Sequence, residues 1–159
     1  MAIYMKMPGV TGNVSSKQHQ GWVEITSLYF DVQRSLSFMP NRQNNRTTGA
    51  AKFSSLELVK PRDASSNVIM ESIVQAKNLP SLEIHCCATG VMIEAYEKYV
   101  LSNVMFHHQS NIDNESGRPS ERVLLHYTQL TRTYIGWGVN NRPTSPHTTG
   151  FNLETLEVS

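Results

Sequence analysis

The sequence predicts a mainly β protein built from short antiparallel strands, with one α-helix. Two patterns indicate this class: apolar residues recur at every second position over most of the chain, and clusters of Gly, Pro, Asn and Ser interrupt them. Hydrophobic residues make up 39% and charged residues 17% of the 159 residues, which is too apolar for disorder and too polar for a membrane span. We expect one domain over residues 1–135 and a poorly packed polar tail over residues 136–159.

The first third of the chain contains two strand patterns separated by a polar loop. Residues 3–7 form a short apolar segment, residues 12–21 are polar, and residues 22–32 are rich in β-branched and aromatic side chains. The apolar parity of this second segment shifts near Ser27 and Leu28. A bulge or bend there would re-aim the side chains, as closing a barrel requires.

A long polar stretch follows over residues 35–51, with few apolar residues and several of Pro, Asn and Gly. It is longer than a hairpin needs, and long loops in compact domains are usually functional or disordered. The next strand is expected over residues 53–59.

A change of apolar period predicts the single helix, over residues 66–77. Val68, Ile69 and Ile73 fall on one helical face, which should pack on the sheet, and Asp63 and its neighbours can cap the helix. Asn78 and Pro80 should end it, since proline cannot continue the hydrogen-bond ladder.

Three later segments alternate and predict further strands, over residues 82–86, 95–106 and 123–127. A polar loop over residues 109–120 should join the last two. Cys86 and Cys87 are adjacent, so a disulfide between them or a zinc motif is not expected. On a strand they should point to opposite faces, one buried and the other at a surface or interface.

Charge and the amino terminus bear on partners and location. The formal net charge is +1, and no basic run is long enough to bind a phosphate backbone, so nucleic acid is not expected as a partner. The polar composition argues against membrane insertion. Lys6 and Pro8 interrupt the stretch where the apolar region of a signal peptide would lie. We expect the protein to fold in the cytoplasm and any export to need no cleavable signal.

The residues that could carry chemistry form no recognisable catalytic pattern. The six histidines show no His-x-His or His-x-x-x-His pair, so a histidine-held metal in a barrel is the weaker alternative, and no cofactor is expected. A Gly-x-Ser-x-Gly elbow and a phosphate loop are also missing from the sequence. A pair of carboxylates for acid–base catalysis comes together only in the folded protein, so the sequence alone does not exclude such a pair. We therefore expect a protein that is not an enzyme.

The polar loop and the strand after it resemble the signature of the Hcp family of type VI secretion proteins. In that family a glycine opens the loop, a histidine follows seven residues later, and the strand begins apolar, acidic, apolar; Gly12, His19 and residues 23–25 match these places. Asn13 and Ser16 depart from the pattern, since acidic residues are usual there.

Later segments resemble the same family. Residues 58–66, with Lys60, Asp63 and a Ser-Ser cap, are similar to its strand-to-helix junction, although Asn67 stands where proline is common. Residues 94–104 resemble a later hairpin of the family and residues 122–134 its closing strand. The resemblance extends over about residues 3–135.

This resemblance implies a small antiparallel β-barrel with one flanking α-helix over residues 1–135, assembled as homo-hexameric rings that stack into the inner tube of the secretion machine. The implied partners are a VgrG-type spike protein, the contractile sheath, the baseplate, and effectors that the tube carries or chaperones. The implied location is the cytoplasm before assembly, followed by secretion. A phage tail-tube-like protein is an alternative of the same structural class, and a barrel enzyme or metal-dependent ligand-binding protein is a further one.

In the resembled family the loop corresponding to residues 35–51 reaches the next ring. Its Asn- and Thr-rich backbone can pair with a neighbour, and its arginines can add charge-assisted hydrogen bonds. A merely mobile surface loop is the alternative. The candidate residues for contacts between rings are Arg42, Asn44, Asn45, Arg46 and Thr47.

Overall fold

The computed structural model describes residues 1–38, 40, 46–89, 94–113, 117–138 and 142–159. Over these ranges the chain forms twelve strands and one helix. In chain order they are β1 (Ala2–Lys6), β2 (Val23–Ile25), β3 (Ser27–Tyr29), β4 (Val32–Phe38), β5 (Arg46–Phe53), β6 (Leu56–Pro61), α1 (Ala64–Val74), β7 (Asn78–Cys87), β8 (Ala95–Ile112), β9 (Ser120–His126), β10 (Gln129–Tyr134), β11 (His147–Asn152) and β12 (Glu157–Val158).

All strand pairs are antiparallel, so the predicted mainly β class with one helix is confirmed. Strand β8 is central, because it pairs with β7 along one edge and with β10 and then β9 along the other. It changes partner next to Asn103, which has a φ of 50°. A residue in this left-handed conformation bends the strand and lets its two halves join different parts of the sheet.

The strands do not close into a barrel of continuous ladders, which corrects the barrel expected from the sequence. β1 pairs with β2, whereas β6 pairs with β3. Thr26 interrupts the strand between β2 and β3, so the two ladders are not continuous. The Thr26 N–H donates to the Val59 carbonyl at 2.7 Å and spans the break. Val23 and Ile25 face the core before the break and Leu28 packs against it afterwards, so the predicted parity shift is confirmed.

One hydrophobic core lies inside the curved sheet and under α1. Its fully buried members come from six strands and the helix, and include Met5, Val23, Leu58, Ile69, Ile84, Leu101, Phe106 and Leu125. The helix begins after the N-cap Asp63, whose side chain accepts from the Ser65 N–H, while the Ser66 hydroxyl accepts from the Asp63 N–H. This capping box satisfies donors that a helix start otherwise leaves unpaired.

The helix is confirmed, but one of its predicted contacts is wrong. Ile69 is buried and Ile73 packs against the core, whereas Val68 is 37% exposed. The helix ends at Val74, and Asn78 and Pro80 already belong to β7.

The stretch over residues 35–51 was expected to be a loop, and this is wrong for its described part. Residues of β4 and β5 pair as an antiparallel ribbon, with Val32 opposite Phe53 and Phe38 opposite Arg46. The described side chains from Val32 to Ser37 are exposed on both faces. The ribbon has few apolar residues, and their alternation is limited to Val32, Leu36 and Phe38, which is too short a pattern to predict both strands.

Cys86 and Cys87 point to opposite faces of β7, as expected, but the expectation that one of them lies at a surface or interface is wrong, since both are buried. Cys86 joins the core, and Cys87 is buried on the outer face, where the loop that carries His19 covers it. The alternation expected over residues 95–106 is interrupted: Tyr99 and Leu101 are buried before Asn103 and Val104 and Phe106 after it, so Val100 is exposed.

Strands β11 and β12 lie in the region expected to be a poorly packed tail. β11 pairs with β10 over six residues, and the Phe151 ring stacks on Phe53 with centroids 4.3 Å apart. The sequence of β11, HTTGFN, has one large apolar residue, so it has no repeat of apolar residues from which a strand could be predicted. The division at residue 135 into a folding domain and an appended segment stays a prediction. No helix among the described residues is long and apolar enough to cross a membrane.

Candidate assembly interface

An exposed arm extends from the main sheet. It consists of β4 and β5, which form a two-stranded sheet of their own and pair with no other strand in the described part of the chain. At its base the Ser54 N–H donates to the Asp31 carbonyl at 3.0 Å. Val32 is 51% exposed and Leu36 67% exposed. Isolated two-stranded ribbons are marginal in water, and their outer edges carry unpaired backbone groups that can accept another strand.

An apolar groove lies where the arm joins the main sheet. It has a volume of about 440 Å³ and runs between the arm and β10, β11 and β12. Across one end of it, the Arg132 guanidinium pairs with Glu97 and lies 5.7 Å from the centre of the Tyr99 ring. The apolar lining residues are Phe30, Val32, Phe53, Leu130, Phe151 and Val158. Apolar surface next to an unpaired ribbon suits contact with another protein surface.

The five predicted contact residues are only partly within the described part of the chain. Arg42, Asn44 and Asn45 fall outside the described residues. Arg46 and Thr47 belong to β5, where their backbones pair with Phe38 and Ser37, and their side chains fall outside the described part as well. The role of these five residues between rings therefore stays a prediction.

A second cluster, which we call the histidine cluster, covers the outer face of β1 and β7. It consists of Tyr4, His19, Trp22 and His85. The two imidazoles are joined by a bond of 2.9 Å from Nε2 of His19 to Nδ1 of His85, and Nε2 of His85 lies 2.7 Å from the Glu83 carboxylate. The sequence pattern places His19 in a polar loop and in the family motif, and indicates no partner for its side chain. No spacing signal could have paired it with a residue 66 positions away.

Burial lowers the pKa of both imidazoles in this cluster. For His19 the neighbouring His85 and Lys98 add to the effect of burial, while Glu83 opposes it. For His85 the hydrogen bond to Glu83 and its charge oppose the effect of burial. Both rings are therefore held neutral near pH 7.

A third cluster is a buried ion network that fastens α1 to the sheet. The Lys60 ammonium donates to Glu121 at 2.7 Å and to Asp63 at 2.9 Å, and Lys60 and Glu121 are opposite each other on β6 and β9. Gln109 and Ser66 also donate to the Glu121 carboxylate. Burial alone would raise the pKa of Asp63, but hydrogen bonds from Ser65 and Lys60 and the Lys60 charge lower it below its usual value. The network holds the start of the helix against the sheet. Because Lys60 and Glu121 are fully buried, it does not form a site that is open to a ligand.

In the described part of the chain, the cysteines are buried and the remaining histidines lie on the surface. Burial raises the pKa of the Cys86 thiol to about 11, which keeps it protonated at neutral pH. The histidines outside the cluster are exposed, and His107 bonds only to the Ser55 hydroxyl. Among the described residues no three or more His, Cys, Asp or Glu side chains are grouped so as to hold a metal.

Comparison with protein families assigns most of the chain. A family model described as "Type VI secretion system effector, Hcp" matches residues 4–134. A search of curated proteins finds no match.

Solved structures share the fold over nearly the full chain. One, described as a type six secretion system protein, is 23% identical, with a TM-score of 0.92 over 99% of both chains. Hcp1 from Salmonella typhimurium is 16% identical, with a TM-score of 0.78 over 99% of this chain and 98% of its own. A type VI secretion system effector from Yersinia pestis is 13% identical, with a TM-score of 0.75 over 94% of this chain and 98% of its own.

Proposed function

Since this chain belongs to the Hcp family of type VI secretion proteins, we propose that it is a structural subunit of the inner tube of such a machine. Copies of the chain form closed hexameric rings, and the rings stack. The tube is expelled with a VgrG-type spike through a contractile sheath mounted on a baseplate, and it carries or chaperones effectors. The subunit is not an enzyme and reaches the outside through the machine rather than by a cleavable signal.

The observation that carries this proposal is the arm formed by β4 and β5. The ribbon is exposed from Val32 to Ser37 and from Thr48 to Gly49, while Phe53 at its base stacks on Phe151; its ladder edges are unpaired within the described part of the chain. A neighbouring copy can supply strand partners for such edges, and the apolar groove at the base of the arm offers area for the same contact. Stacking places every arm in the same contact with a copy in the next ring, while head-to-tail contacts elsewhere on the subunit form each ring where their rotation closes.

Size-exclusion chromatography with light scattering tests whether the protein forms a ring. The protein concentration should be roughly tens of micromolar, which is the range of ordinary interface affinities. We expect the mass of six chains and ring-shaped particles in negative-stain micrographs. A strict monomer would contradict the proposal. Metal analysis of the same sample separates the alternatives, since a monomer with a stoichiometric transition metal would favour the metal-dependent barrel protein.

A further inference from the structure

The loop over residues 11–22 folds back on the sheet and is held there by one buried side chain. The loop has its own ladder, in which the Gly12 N–H donates to the Gly21 carbonyl at 2.7 Å and the Gly21 N–H to the Val14 carbonyl at 2.8 Å. His19 is only 3% exposed. Its ring stacks on Tyr4 of β1, with centroids 4.8 Å apart and planes inclined by 27°.

Hydrogen bonding sets the protonation of this contact atom by atom. The Glu83 carboxylate only accepts, so Nε2 of His85 carries its proton and donates at 2.7 Å. Nδ1 of the neutral His85 ring is then an acceptor, and Nε2–H of His19 donates to it at 2.9 Å. The remaining nitrogen, Nδ1 of His19, is buried and has no hydrogen-bond partner among the described residues.

A further proton has no favourable place in this chain of bonds. On Nδ1 of His85 it would set two N–H groups against each other across 2.9 Å, unless His19 moves its own proton to Nδ1 so that its Nε2 can accept; that tautomer leaves a buried N–H without an acceptor. On Nδ1 of His19 it would create a buried charged N–H without an acceptor, which is strongly unfavourable. Undocking the loop removes both conflicts, because water then solvates the His19 ring.

The surrounding charges are few and of both signs. Glu83 on β7 favours a charged imidazole, and Lys98 on β8, opposite His85 in the ladder, disfavours it. The titratable and charged groups that face the pair from the packed elements are Tyr4, Glu83, Cys87, Glu94 and Lys98, with Lys6 over the Trp22 ring.

We propose that the His19–His85 pair is a proton-sensitive latch that holds the loop on the sheet at neutral pH and releases it in mild acid. Release uncovers Cys87 and the outer face of Tyr4 and His85, while the core stays folded. The latch operates within one subunit, so it does not depend on the proposed tube function.

Hydrogen exchange by mass spectrometry on the intact protein measures the release. Protection of the peptide covering residues 11–22, corrected for intrinsic exchange, is followed from about pH 8 to about pH 5, the range in which histidine titrates. One proton taken up on release lowers protection about tenfold per pH unit below the transition. Protection of α1 should stay constant over the same range.

Two charge variants give the test its direction. Glu83→Gln keeps an acceptor for His85 but removes the negative charge, so release should move to lower pH. Lys98→Gln removes a positive charge, so release should move to higher pH. The double variant His19→Gln with His85→Gln should make loop protection independent of pH, and His126→Gln, at an exposed site, should behave as the unaltered protein.

The proposal is overturned if the loop keeps its protection throughout. It is also overturned if α1 and β7 lose protection in parallel with the loop, which is general acid unfolding. Shifts in the same direction for the two charge variants, or no shift for either, would equally rule it out.

Discussion

At the scale of single residues, the ion network of Lys60 and Glu121 shows how the protein treats buried charge. Both side chains are fully buried, and each lies within hydrogen-bond distance of more than one partner. A buried pair adds little net stability compared with apolar residues of the same size, but removing one member leaves an unpaired charge. The network therefore specifies where α1 begins.

Glu121→Ala should lower the free energy of unfolding by about 3 kcal/mol, since it leaves Lys60 buried with Asp63 as its remaining carboxylate. Urea unfolding at fixed protein concentration measures this. The double variant Lys60→Met with Glu121→Leu is the matched control and should recover most of the loss. If the double variant lost as much free energy of unfolding as Glu121→Ala, packing rather than charge would hold the start of the helix.

Cys86 offers a second test at this scale. With a thiol pKa of about 11, it should react with a disulfide reagent at pH 8 roughly a hundredfold more slowly than a thiol of pKa 9. Because the folded pKa lies above the unfolded one, the thiol's contribution to stability is lost as pH rises above about 9. Both cysteines should react rapidly once denaturant is added. Fast labelling of Cys86 in the folded protein would contradict its burial.

At the scale of elements, α1 and the arm differ in how they are held. The helix buries Ile69 in the core and is capped by Asp63, whereas the arm has no buried face among its described residues. An element held by burial is sensitive to one core substitution. An element that is exposed over most of its length, as the arm is, is sensitive to the surfaces that it contacts in an assembly.

Ile69→Ala should destabilise the protein by about 2–5 kcal/mol, because it removes buried methyl groups and leaves a cavity. Val68→Ala, on the partly exposed side of the same helix, should change stability by no more than about 0.5 kcal/mol. Thermal unfolding of the two variants side by side measures the difference. Equal effects would show that the helix is oriented differently.

Replacing residues 41–48 with a short Gly-Ser link should leave the domain folded and the ring intact, but stacking into tubes and secretion should fail. A Gly-Ser replacement of residues 41–45 at the original length separates arm length from the side chains of Arg42, Asn44 and Asn45. Tube formation by electron microscopy and export by immunoblot are the measurements. Wild-type stacking in the shortened variant would refute a role of the arm between rings.

At the scale of the whole molecule, the main sheet is built from segments far apart in the chain. β1 pairs with β7, and β3 pairs with β6, while β11 and β12 extend the sheet from β10 after the core is complete. The buried core residues all lie at or before Leu130. The late strands therefore add an edge and one wall of the apolar groove rather than the centre of the fold.

A chain ending at residue 135 should fold but melt at a lower temperature, because it loses the β10–β11 ladder and exposes Leu130 and Phe53. Phe151→Ala in the full chain is the control that removes only the stacked ring. Circular dichroism follows both unfolding transitions. A shortened chain without cooperative unfolding would show that residues 136–159 belong to the domain itself.

The sequence by itself determined the elements that have one buried face. The alternation of β1, β2 and β7, the helical period and cap of α1, and the family motifs around Gly12, His19 and Lys60 are local and readable along the chain. Periodicity reports burial on one side, so it indicates an element only where such a side exists.

Only the tertiary structure decided the arm, the late strands and the histidine cluster. The arm has no buried face, β11 has one large apolar side chain, and His19 meets His85 through a fold that joins residues 66 positions apart. The buried side of β8 changes between Leu101 and Val104, next to the left-handed Asn103, and no repeat in the sequence marks this change. Contacts of this kind depend on which strands become neighbours, because their energy comes from partners that are distant in the chain.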